Sequence, residues 1–314
     1  MSTLVFVTPT WDAGPWAAEM RKAAPGLGVR VWPETGEAKD VTYCCAWLPP
    51  PNVVKSFTNL KVIFSLGAGV DAILADPTLP KGAPIVRVND PDLTNRMSEY
   101  VVLHVLMHHR QQRQLDAAQK RGEWTSLPQA AAKDVTVGIM GLGVLGQDAA
   151  RKLRMMDFKV RGWSRTKKKI PGVESFDATQ LVEFLSDTDI LVSLLPATAD
   201  TDGVLNRQLF ANLSRKGPLG APVLINAGRG RQQNEQDILA CLHDGTLLAA
   251  TLDVFRKEPL QDVSPLWTHP RVTVTPHNAA DSEPATICGY VAEQIRKFEA
   301  DGTLENLVDP LRGY

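Results

Sequence analysis

Hydrophobic and polar residues follow the period of a strand in some segments and the period of a helix in others. The order of these segments predicts strands that alternate with helices. In the first part, short apolar runs rich in β-branched residues predict five strands, at residues 4–7, 29–32, 41–47, 62–66 and 85–88. Helical patterns such as residues 15–24 and turns rich in proline and glycine separate these runs. This alternation predicts a parallel sheet that is covered by helices.

The pattern changes after this region, and residues 93–121 predict one long helix. Residues 100–107 are apolar almost all round, which predicts burial on several sides, between two domains or two subunits. His104 and His108 lie four residues apart, but no acidic residue completes a zinc-binding pattern. We therefore predict interface packing for both histidines, and a connecting loop or arm at residues 122–133.

A second region of strands and helices begins at residue 135. Apolar residues 135–140 predict a buried strand, residues 147–156 a helix and residues 159–163 a second strand. Further strands are predicted at residues 190–195, 223–226, 249–254 and 272–275. Six strands with intervening helices are the number expected for a complete Rossmann domain. A last helix at residues 281–301 lies too far along the chain to join this sheet, so we expect it to return to the first domain.

The turn after the first of these strands has glycines in the G-x-G-x-x-G spacing, at Gly141, Gly143 and Gly146. Gly141 allows a tight turn, Gly143 lets the backbone approach a pyrophosphate, and Gly146 lets the helix pack closely on the strand. The helix start, with Val144 and Leu145, offers backbone N–H groups to the phosphates. Because strand, glycines, helix and second strand follow within about thirty residues, we predict a dinucleotide site rather than a glycine-rich turn of another α/β protein.

The end of the second strand distinguishes between the two nicotinamide dinucleotides. An NAD site usually has Asp or Glu there, whereas a basic residue accommodates the 2′-phosphate of NADP. Here Trp163 is followed by Ser164, Arg165 and Thr166, and no carboxylate occurs before Glu174. Arg165 can hold a phosphate through its planar guanidinium, and Ser164 and Thr166 can donate hydrogen bonds. The position predicts NADPH in preference to NADH, although the lysines that follow fit an ordinary solvated charge run.

The composition is that of an ordinary globular protein. The length of 314 residues suggests about two domains, with 44% hydrophobic and 22% charged residues. A formal net charge of −1 argues against nucleic acid or a membrane surface as the main partner. No apolar run approaches about 18 residues and the N-terminus lacks a basic leader, so we expect neither a membrane span nor a signal peptide. The four cysteines form no C-x-x-C pair, which favours the cytoplasm and predicts no metal site.

Three short segments follow predicted strands of the second region, where open α/β sheets bind their ligands. They are residues 226–230 with Arg229, residues 253–259 with Glu258, and residues 275–280 with His277. Taken singly, His277 could be a core histidine, Glu258 a loop charge before a proline, and Arg229 a surface partner of Asp237. Together, beside a nicotinamide site, they predict a catalytic centre in a cleft between the two domains.

Sequence motifs along nearly the whole chain resemble those of the D-isomer-specific 2-hydroxyacid dehydrogenases. These are G-x-G-x-D at residues 67–71, the glycine motif at 141–146, L-P-A-T at 195–198, N-x-x-R-G at 226–230, D-V-F-x-x-E-P at 253–259 and P-H-x-A at 276–279. Within the family, the chain looks most like the bacterial NADPH-dependent glyoxylate/hydroxypyruvate reductases. That closer resemblance is carried by residues 66–71, 163–166, 264–267 and 312–314.

The resemblance implies a fold and a role for the three strand-end residues. The fold is a Rossmann cofactor domain, residues 93–280, inserted into a smaller flavodoxin-like α/β substrate domain, residues 1–92 and 281–314. His277 would be the general acid that gives a proton to a keto oxygen. Glu258 would orient its ring and favour the protonated form, and Arg229 would bind the substrate carboxylate.

The resemblance also implies the remaining contacts with substrate and cofactor. Backbone N–H groups of Ala68 and Gly69 would receive the carboxylate, within a substrate loop that includes Leu66 and Gly67. Trp47 would limit substrate size, or would simply be a core tryptophan. The cofactor would also contact Leu195, Pro196, Thr198, Ala227, Gly228, Asp253 and Ala279. Gly228 departs from the family, which more often has a slightly larger residue there.

The expected activity is NADPH-dependent reduction of glyoxylate or hydroxypyruvate to the 2-hydroxy acid, by a homodimer. One alternative keeps this chemistry and changes the substrate to a bulkier keto acid such as phenylpyruvate. Another is a nucleotide-sensing scaffold without catalysis, which a broken triad would favour. Because Arg229, Glu258 and His277 are all present, the sequence favours an enzyme.

Overall fold

A computed structural model describes the fold over residues 2–80 and 82–313, so Tyr314 of the terminal motif lies outside the described residues. The chain divides into two compact units, Met1–Leu93 with Ser282–Tyr314, and Thr94–Asp281. Within the described ranges, no helix is both long and apolar enough to cross a membrane.

Both units consist of parallel strands and helices. The strands are β1 Thr3–Val7, β2 Gly28–Val31, β3 Val41–Ala46, β4 Val62–Ser65, β5 Ile85–Arg87, β6 Thr136–Met140, β7 Lys159–Trp163, β8 Val173–Phe176, β9 Ile190–Ser193, β10 Val223–Asn226, β11 Ala249–Leu252 and β12 Val272–Val274. The α-helices are α1 Gly14–Ala23, α2 Asp71–Leu74, α3 Pro91–His109, α4 Gln112–Lys120, α5 Val144–Met155, α6 Leu181–Leu185, α7 Arg207–Phe210, α8 Glu235–His243 and α9 Pro284–Asp301.

The first unit has a five-stranded parallel sheet in the order β2-β1-β3-β4-β5. All five strands predicted in this part of the sequence are confirmed. On one face, Met20 of α1 and Ile287 of α9 share an apolar cluster with Phe6, while the other face buries Val5 and Ile63. Successive residues of a strand point to opposite faces, so continuous apolar runs bury both sides of the sheet.

The second unit has a seven-stranded parallel sheet in the order β12-β11-β10-β9-β6-β7-β8. The six predicted strands are confirmed, but the expected total of six is wrong because β8 adds a seventh at the edge. In β8 only Phe176 is buried, and the outward Glu174 forms a 2.7 Å ion pair with Arg161. A short edge strand with one buried side chain lacks the apolar run by which a central strand is recognised.

The single helix predicted at residues 93–121 is wrong, because the structure has α3 and α4 in its place. Gln111 separates the two helices with a left-handed backbone conformation, φ 55°. Its side-chain amide donates a 2.6 Å hydrogen bond to the carbonyl oxygen of Pro128. No glycine or proline marks this break, and glutamine is a good helix former, so no local signal in the sequence indicates it.

The apolar middle of α3 is buried on some sides only. His104 and His108 are buried, whereas Leu103 is 53% exposed in the single chain. The Nε2 atom of His108 lies 2.9 Å from the hydroxyl oxygen of Thr251 in β11. His108 therefore packs within the second unit, against the sheet.

Candidate active site

The glycine turn between β6 and α5 has the geometry of a phosphate-binding loop. Gly141 has a φ of 102°, and a Cβ atom there would lie 2.6 Å from the carbonyl oxygen of Leu194. A Cβ atom on Gly146 would lie 2.0 Å from the carbonyl oxygen of Gly141, so both positions require glycine. At Gly143, by contrast, no described atom lies within 4 Å of such a Cβ. This open space, at the start of a helix, is where a pyrophosphate can approach the backbone.

The turn after β7 is polar and positively charged. Arg165 and Thr166 are exposed, and the run from 163 to 169 contains no carboxylate. The Ser164 hydroxyl donates a 2.8 Å hydrogen bond to the carbonyl oxygen of Thr166. Since a serine has one hydroxyl proton, Ser164 shapes this turn in the structure and is available to a ligand only as an acceptor. The positive charge that remains suits a 2′-phosphate.

His277 and Glu258 form a hydrogen-bonded pair after β12 and β11. The Nδ1 atom of His277 lies 2.7 Å from Oε2 of Glu258, and both side chains are 35% exposed. The other oxygen of Glu258 accepts a 2.9 Å hydrogen bond from the N–H of Phe255. Burial by itself would raise the pKa of the Glu258 carboxyl, but hydrogen bonds from His277 and Phe255 and the charge of Arg229 lower that pKa below its usual value. The carboxylate therefore stays ionised at neutral pH and engages Nδ1, so Nε2 is the ring nitrogen that Glu258 does not occupy.

The carboxylate of Asp253 fixes the loop that carries His277. Asp253 is 1% exposed, and its carboxylate accepts hydrogen bonds from the N–H groups of Asn278, at 3.0 Å, and Ala279, at 3.1 Å. The N–H of His277 donates to the carbonyl oxygen of Asp253 at 2.8 Å. These bonds hold the loop where His277 has a left-handed backbone conformation, φ 55°.

Tyr100 and Thr275 extend this arrangement, and the sequence reasoning missed both. The hydroxyl oxygens of Tyr100 and Thr275 lie 2.8 Å apart, and the Thr275 hydroxyl donates to Asp253 at 2.6 Å. Because the single proton of Thr275 is used on Asp253, Tyr100 must donate to Thr275. The available signal was a tyrosine within an apolar helix, since a buried phenol normally finds a hydrogen-bond partner.

Arg229 follows β10, at the same edge of the sheet. It is half-buried, its guanidinium donates to the carbonyl oxygen of Gly228 at 2.9 Å, and its charge lowers the pKa of Glu258. The electrostatic effect links Arg229 to the His277–Glu258 pair. Asp237, considered above as a surface partner of Arg229, accepts a 3.0 Å hydrogen bond from the N–H of Arg207.

Two fully buried glutamines, also missed from sequence, connect the strand ends of the second unit. Gln232 donates to the carbonyl oxygen of Leu195 at 2.6 Å, after β9. Gln233 accepts from Asn226, the last residue of β10, at 2.8 Å and donates to the carbonyl oxygen of Val254, after β11, at 2.9 Å. A Cβ atom on Gly228 would lie 2.7 Å from the Gln232 side chain, which accounts for glycine there.

All the predicted cofactor residues lie at the carboxyl edge of the second sheet, because its strands are parallel. Leu195, Ala227 and Ala279 are buried at the ends of their strands. Thr198 begins a short turn in which the Thr201 hydroxyl donates to the carbonyl oxygen of Pro196 at 2.7 Å. Within the described residues, no group of three or more His, Cys, Asp or Glu side chains could hold a metal ion.

The predicted substrate loop belongs to the first unit and follows β4. Trp47, just after β3, covers this loop: a Cβ atom on Gly67 would lie 2.4 Å from its ring. Leu66 is 2% exposed, whereas Ala68 and Gly69 are half-buried. The loop therefore presents accessible backbone beside an aromatic wall.

Comparisons with known proteins agree with this arrangement. The sequence profile of the D-isomer specific 2-hydroxyacid dehydrogenase NAD binding domain matches residues 102–279. Glyoxylate/hydroxypyruvate reductase A of Serratia proteamaculans is 41% identical over 317 residues, 99% of each chain. The crystal structure of an NADPH-dependent glyoxylate/hydroxypyruvate reductase from Sinorhizobium meliloti, with NADP and sulfate, is 48% identical and covers 100% of both chains with a TM-score of 0.96. A D-isomer specific 2-hydroxyacid dehydrogenase from Xanthobacter autotrophicus Py2, with NADPH and MES, is 38% identical over 99% of each chain, with a TM-score of 0.93.

Proposed function

The chain belongs to the D-isomer-specific 2-hydroxyacid dehydrogenase family, and we propose that it uses NADPH to reduce glyoxylate or hydroxypyruvate to the 2-hydroxy acid. The observation that carries this proposal is the 2.7 Å His277–Glu258 pair at the same sheet edge as the glycine loop. When bound, NADPH supplies the hydride that adds to the keto carbon. The protein must then supply one proton to the keto oxygen, so that the products are the 2-hydroxy acid and NADP⁺.

His277 is the proton donor in this proposal. Its Nδ1 atom is engaged by Glu258, which leaves Nε2 as the acid that protonates the keto oxygen. The carboxylate of Glu258 lies beside the ring and pairs with the imidazolium that the transfer requires. Arg229 binds the substrate carboxylate through its planar guanidinium, which also polarises the neighbouring carbonyl.

We propose that the residues 93–280 bind the cofactor. The proposed contacts are Gly141, Gly143, Val144, Leu145, Gly146, Trp163, Ser164, Arg165, Thr166, Leu195, Pro196, Thr198, Ala227, Gly228, Arg229, Asp253, His277 and Ala279. The open backbone at Gly143 supports the pyrophosphate site, and Arg165 supports NADPH in preference to NADH. The role of Asp253 is to hold the His277 loop, as its hydrogen bonds indicate.

We propose that residues 1–92 and 281–314 form the substrate domain. Its contacts are Trp47, Leu66, Gly67, Ala68 and Gly69, with the N–H groups of Ala68 and Gly69 binding the carboxylate. The packing of the Trp47 ring against Gly67 supports its role as the wall that limits substrate size.

One assay tests both the activity and the size limit. NADPH oxidation is followed with glyoxylate, hydroxypyruvate, pyruvate and phenylpyruvate, for the wild type and for Trp47→Ala. We expect turnover of the two small substrates by the wild type, and a gain of phenylpyruvate turnover in the variant. Wild-type preference for phenylpyruvate would favour the bulkier substrate class, and no turnover of any keto acid would refute the proposed function.

We propose a homodimer whose interface includes the exposed apolar side chains of α3 and of the arm at residues 122–133. Leu103 is 53% exposed and Trp124 is fully exposed, and packing against a second copy would remove their apolar surface from water. Sedimentation should give a dimer for the wild type and a monomer for Leu103→Ser with Trp124→Ser. Met155→Ser, at an 84% exposed position elsewhere, is the matched control and should stay dimeric. The four free cysteines support a cytoplasmic location.

A further inference from the structure

The substrate loop after β4 is held in shape by two serine hydroxyls, Ser65 and Ser282. We propose that Ser65, assisted by Ser282, is a positioning residue that aims the N–H groups of Ala68 and Gly69 at the substrate carboxylate. This inference rests on the proposed keto acid reduction and adds a specific means of substrate binding to it.

Ser65 is the last residue of β4 and is 1% exposed. Its hydroxyl oxygen lies 2.9 Å from the carbonyl oxygen of Gly67 and 3.0 Å from that of Gly69. The N–H of Gly67 points back at the same oxygen, at 3.4 Å. One hydroxyl proton thus serves two carbonyl groups of the loop, and the side chain makes no other described hydrogen bond.

The direction of these carbonyl groups determines the direction of the neighbouring N–H groups. In a planar trans peptide, the C=O of one residue and the N–H of the next point in opposite directions. Because the Gly67 carbonyl points at buried Ser65, the N–H of Ala68 points away from the strand end. The N–H of Gly69 belongs to the peptide that lies between these two anchored carbonyl groups, so this peptide is restrained from both sides.

The same two N–H groups are available to a ligand. In the described ranges, neither Ala68 nor Gly69 uses its N–H in a hydrogen bond within the protein. Both residues are half-buried, whereas Ser65 and Leu66 are buried. A half-buried backbone N–H without a partner is a donor that a carboxylate can satisfy.

Ser282 anchors the first residue of the loop, Leu66. Its hydroxyl donates a 3.0 Å hydrogen bond to the carbonyl oxygen of Leu66, in the segment just before α9. With the Trp47 ring packed on Gly67, the loop is restrained at Leu66, Gly67 and Gly69. A loop that is ordered before substrate arrives loses less conformational entropy on binding, and hydrogen bonds that are already aimed bind the carboxylate more strongly.

Kinetic constants distinguish positioning from a merely structural role. For Ser65→Ala we expect the KM for glyoxylate to rise by about tenfold, the effect of losing one well-aimed hydrogen bond to a charged group. The KM for NADPH and kcat should change by less than about twofold, because the cofactor residues belong to the other unit. Ser65→Thr, which keeps the hydroxyl, should restore the KM for glyoxylate to within about threefold of the wild type.

Ser56→Ala is the matched control. The Ser56 hydroxyl also donates to a backbone carbonyl, that of Val53 at 2.6 Å, but in an exposed turn of the same unit. It should leave all three constants unchanged. Ser282→Ala is a second, milder variant that serves as the test if Ser65→Ala fails to fold. For Ser282→Ala we expect the KM for glyoxylate to rise by about threefold.

The outcomes separate the positioning role from the proposed function. If the wild type reduces keto acids and the serine variants that fold keep its KM for glyoxylate, the positioning role is overturned and the function stands. A variant in which kcat falls, both KM values rise and thermal stability falls together would also overturn it, since that is the result of a disrupted core. If the wild type reduces no keto acid, the proposed function fails and the positioning role falls with it.

Discussion

The Nδ1 atom of His277 and the Oε2 atom of Glu258 lie 2.7 Å apart, although 18 residues separate them along the chain. The contact forms because β11 and β12 are parallel neighbours whose carboxyl ends meet at one edge. This pairing fixes which imidazole nitrogen remains for chemistry and places a negative charge beside it.

Replacing Glu258 by Gln should change the pH dependence of reduction. Burial alone would raise the pKa of the Glu258 carboxyl, but hydrogen bonds from His277 and Phe255 and the charge of Arg229 lower it below its usual value, so the carboxyl is ionised at neutral pH. As the pH falls through this lowered pKa, the carboxyl gains a proton and its hydrogen bond with Nδ1 of His277 weakens, so reduction should become slower in acid. In Glu258→Gln the side chain has no charge to lose, so kcat/KM should be lower by about tenfold at neutral pH and this fall in acid should be absent. The check is kcat/KM for glyoxylate across pH.

Replacing His277 by Gln is the companion experiment. We expect kcat to fall by about 100-fold or more, in line with the loss of a positioned acid. A fall in acid of the same size in Glu258→Gln as in the wild type, or full turnover in His277→Gln, would remove the pair from the proton transfer.

Replacing Arg165 by Ala should weaken NADPH binding selectively. In our proposal the Arg165 guanidinium binds the 2′-phosphate, a group that NADH lacks, so KM should rise by about tenfold for NADPH and by less than about twofold for NADH. Lys168→Ala is the control, since Lys168 is exposed in the same charge run. Equal losses for both cofactors, or an equal effect of the control, would count against a 2′-phosphate site at Arg165.

Two glycines of the cofactor loop should respond differently to an added methyl group. Gly146→Ala should lower the free energy of unfolding by about 1–3 kcal/mol, because its Cβ meets backbone at 2.0 Å. Gly143→Ala should leave the stability of the cofactor-free protein unchanged, because its Cβ meets nothing described within 4 Å. It should instead reduce the thermal stabilisation that NADPH gives, since the methyl group takes the space of the pyrophosphate. A destabilised Gly143→Ala protein with normal NADPH binding would contradict this assignment.

Buried His108 should make the protein less stable in acid. Burial, with the charges of His104 and Arg113, lowers the pKa of His108 from 6.5 to about 3. Between these values the unfolded chain binds a proton that the folded chain does not, so stability falls as the pH drops below 6.5. His108→Gln keeps a partner for Thr251 without titrating, and its Tm should fall less than that of the wild type between pH 7 and pH 5. Identical Tm losses would show that His108 does not contribute.

The sequence by itself determined the features that depend on a few neighbouring residues. Apolar runs identified the central strands, and the spacing of Gly141 and Gly146 reflected a tight turn and a close helix contact that the structure contains. Motifs at the ends of parallel strands also identified Arg229, Glu258 and His277 as a set, because such ends share one edge.

Tertiary structure alone decided the contacts between distant residues. Tyr100 and Thr275 meet across 175 positions, and Ser282 meets Leu66 across 216. No local period encodes such pairs, because they depend on how helices pack on the sheets. The break at Gln111 and the edge strand β8 were missed for the same reason. At Gln111 a hydrogen bond with Pro128, and at β8 the pairing with β7, outweigh the weak local preference of the residues.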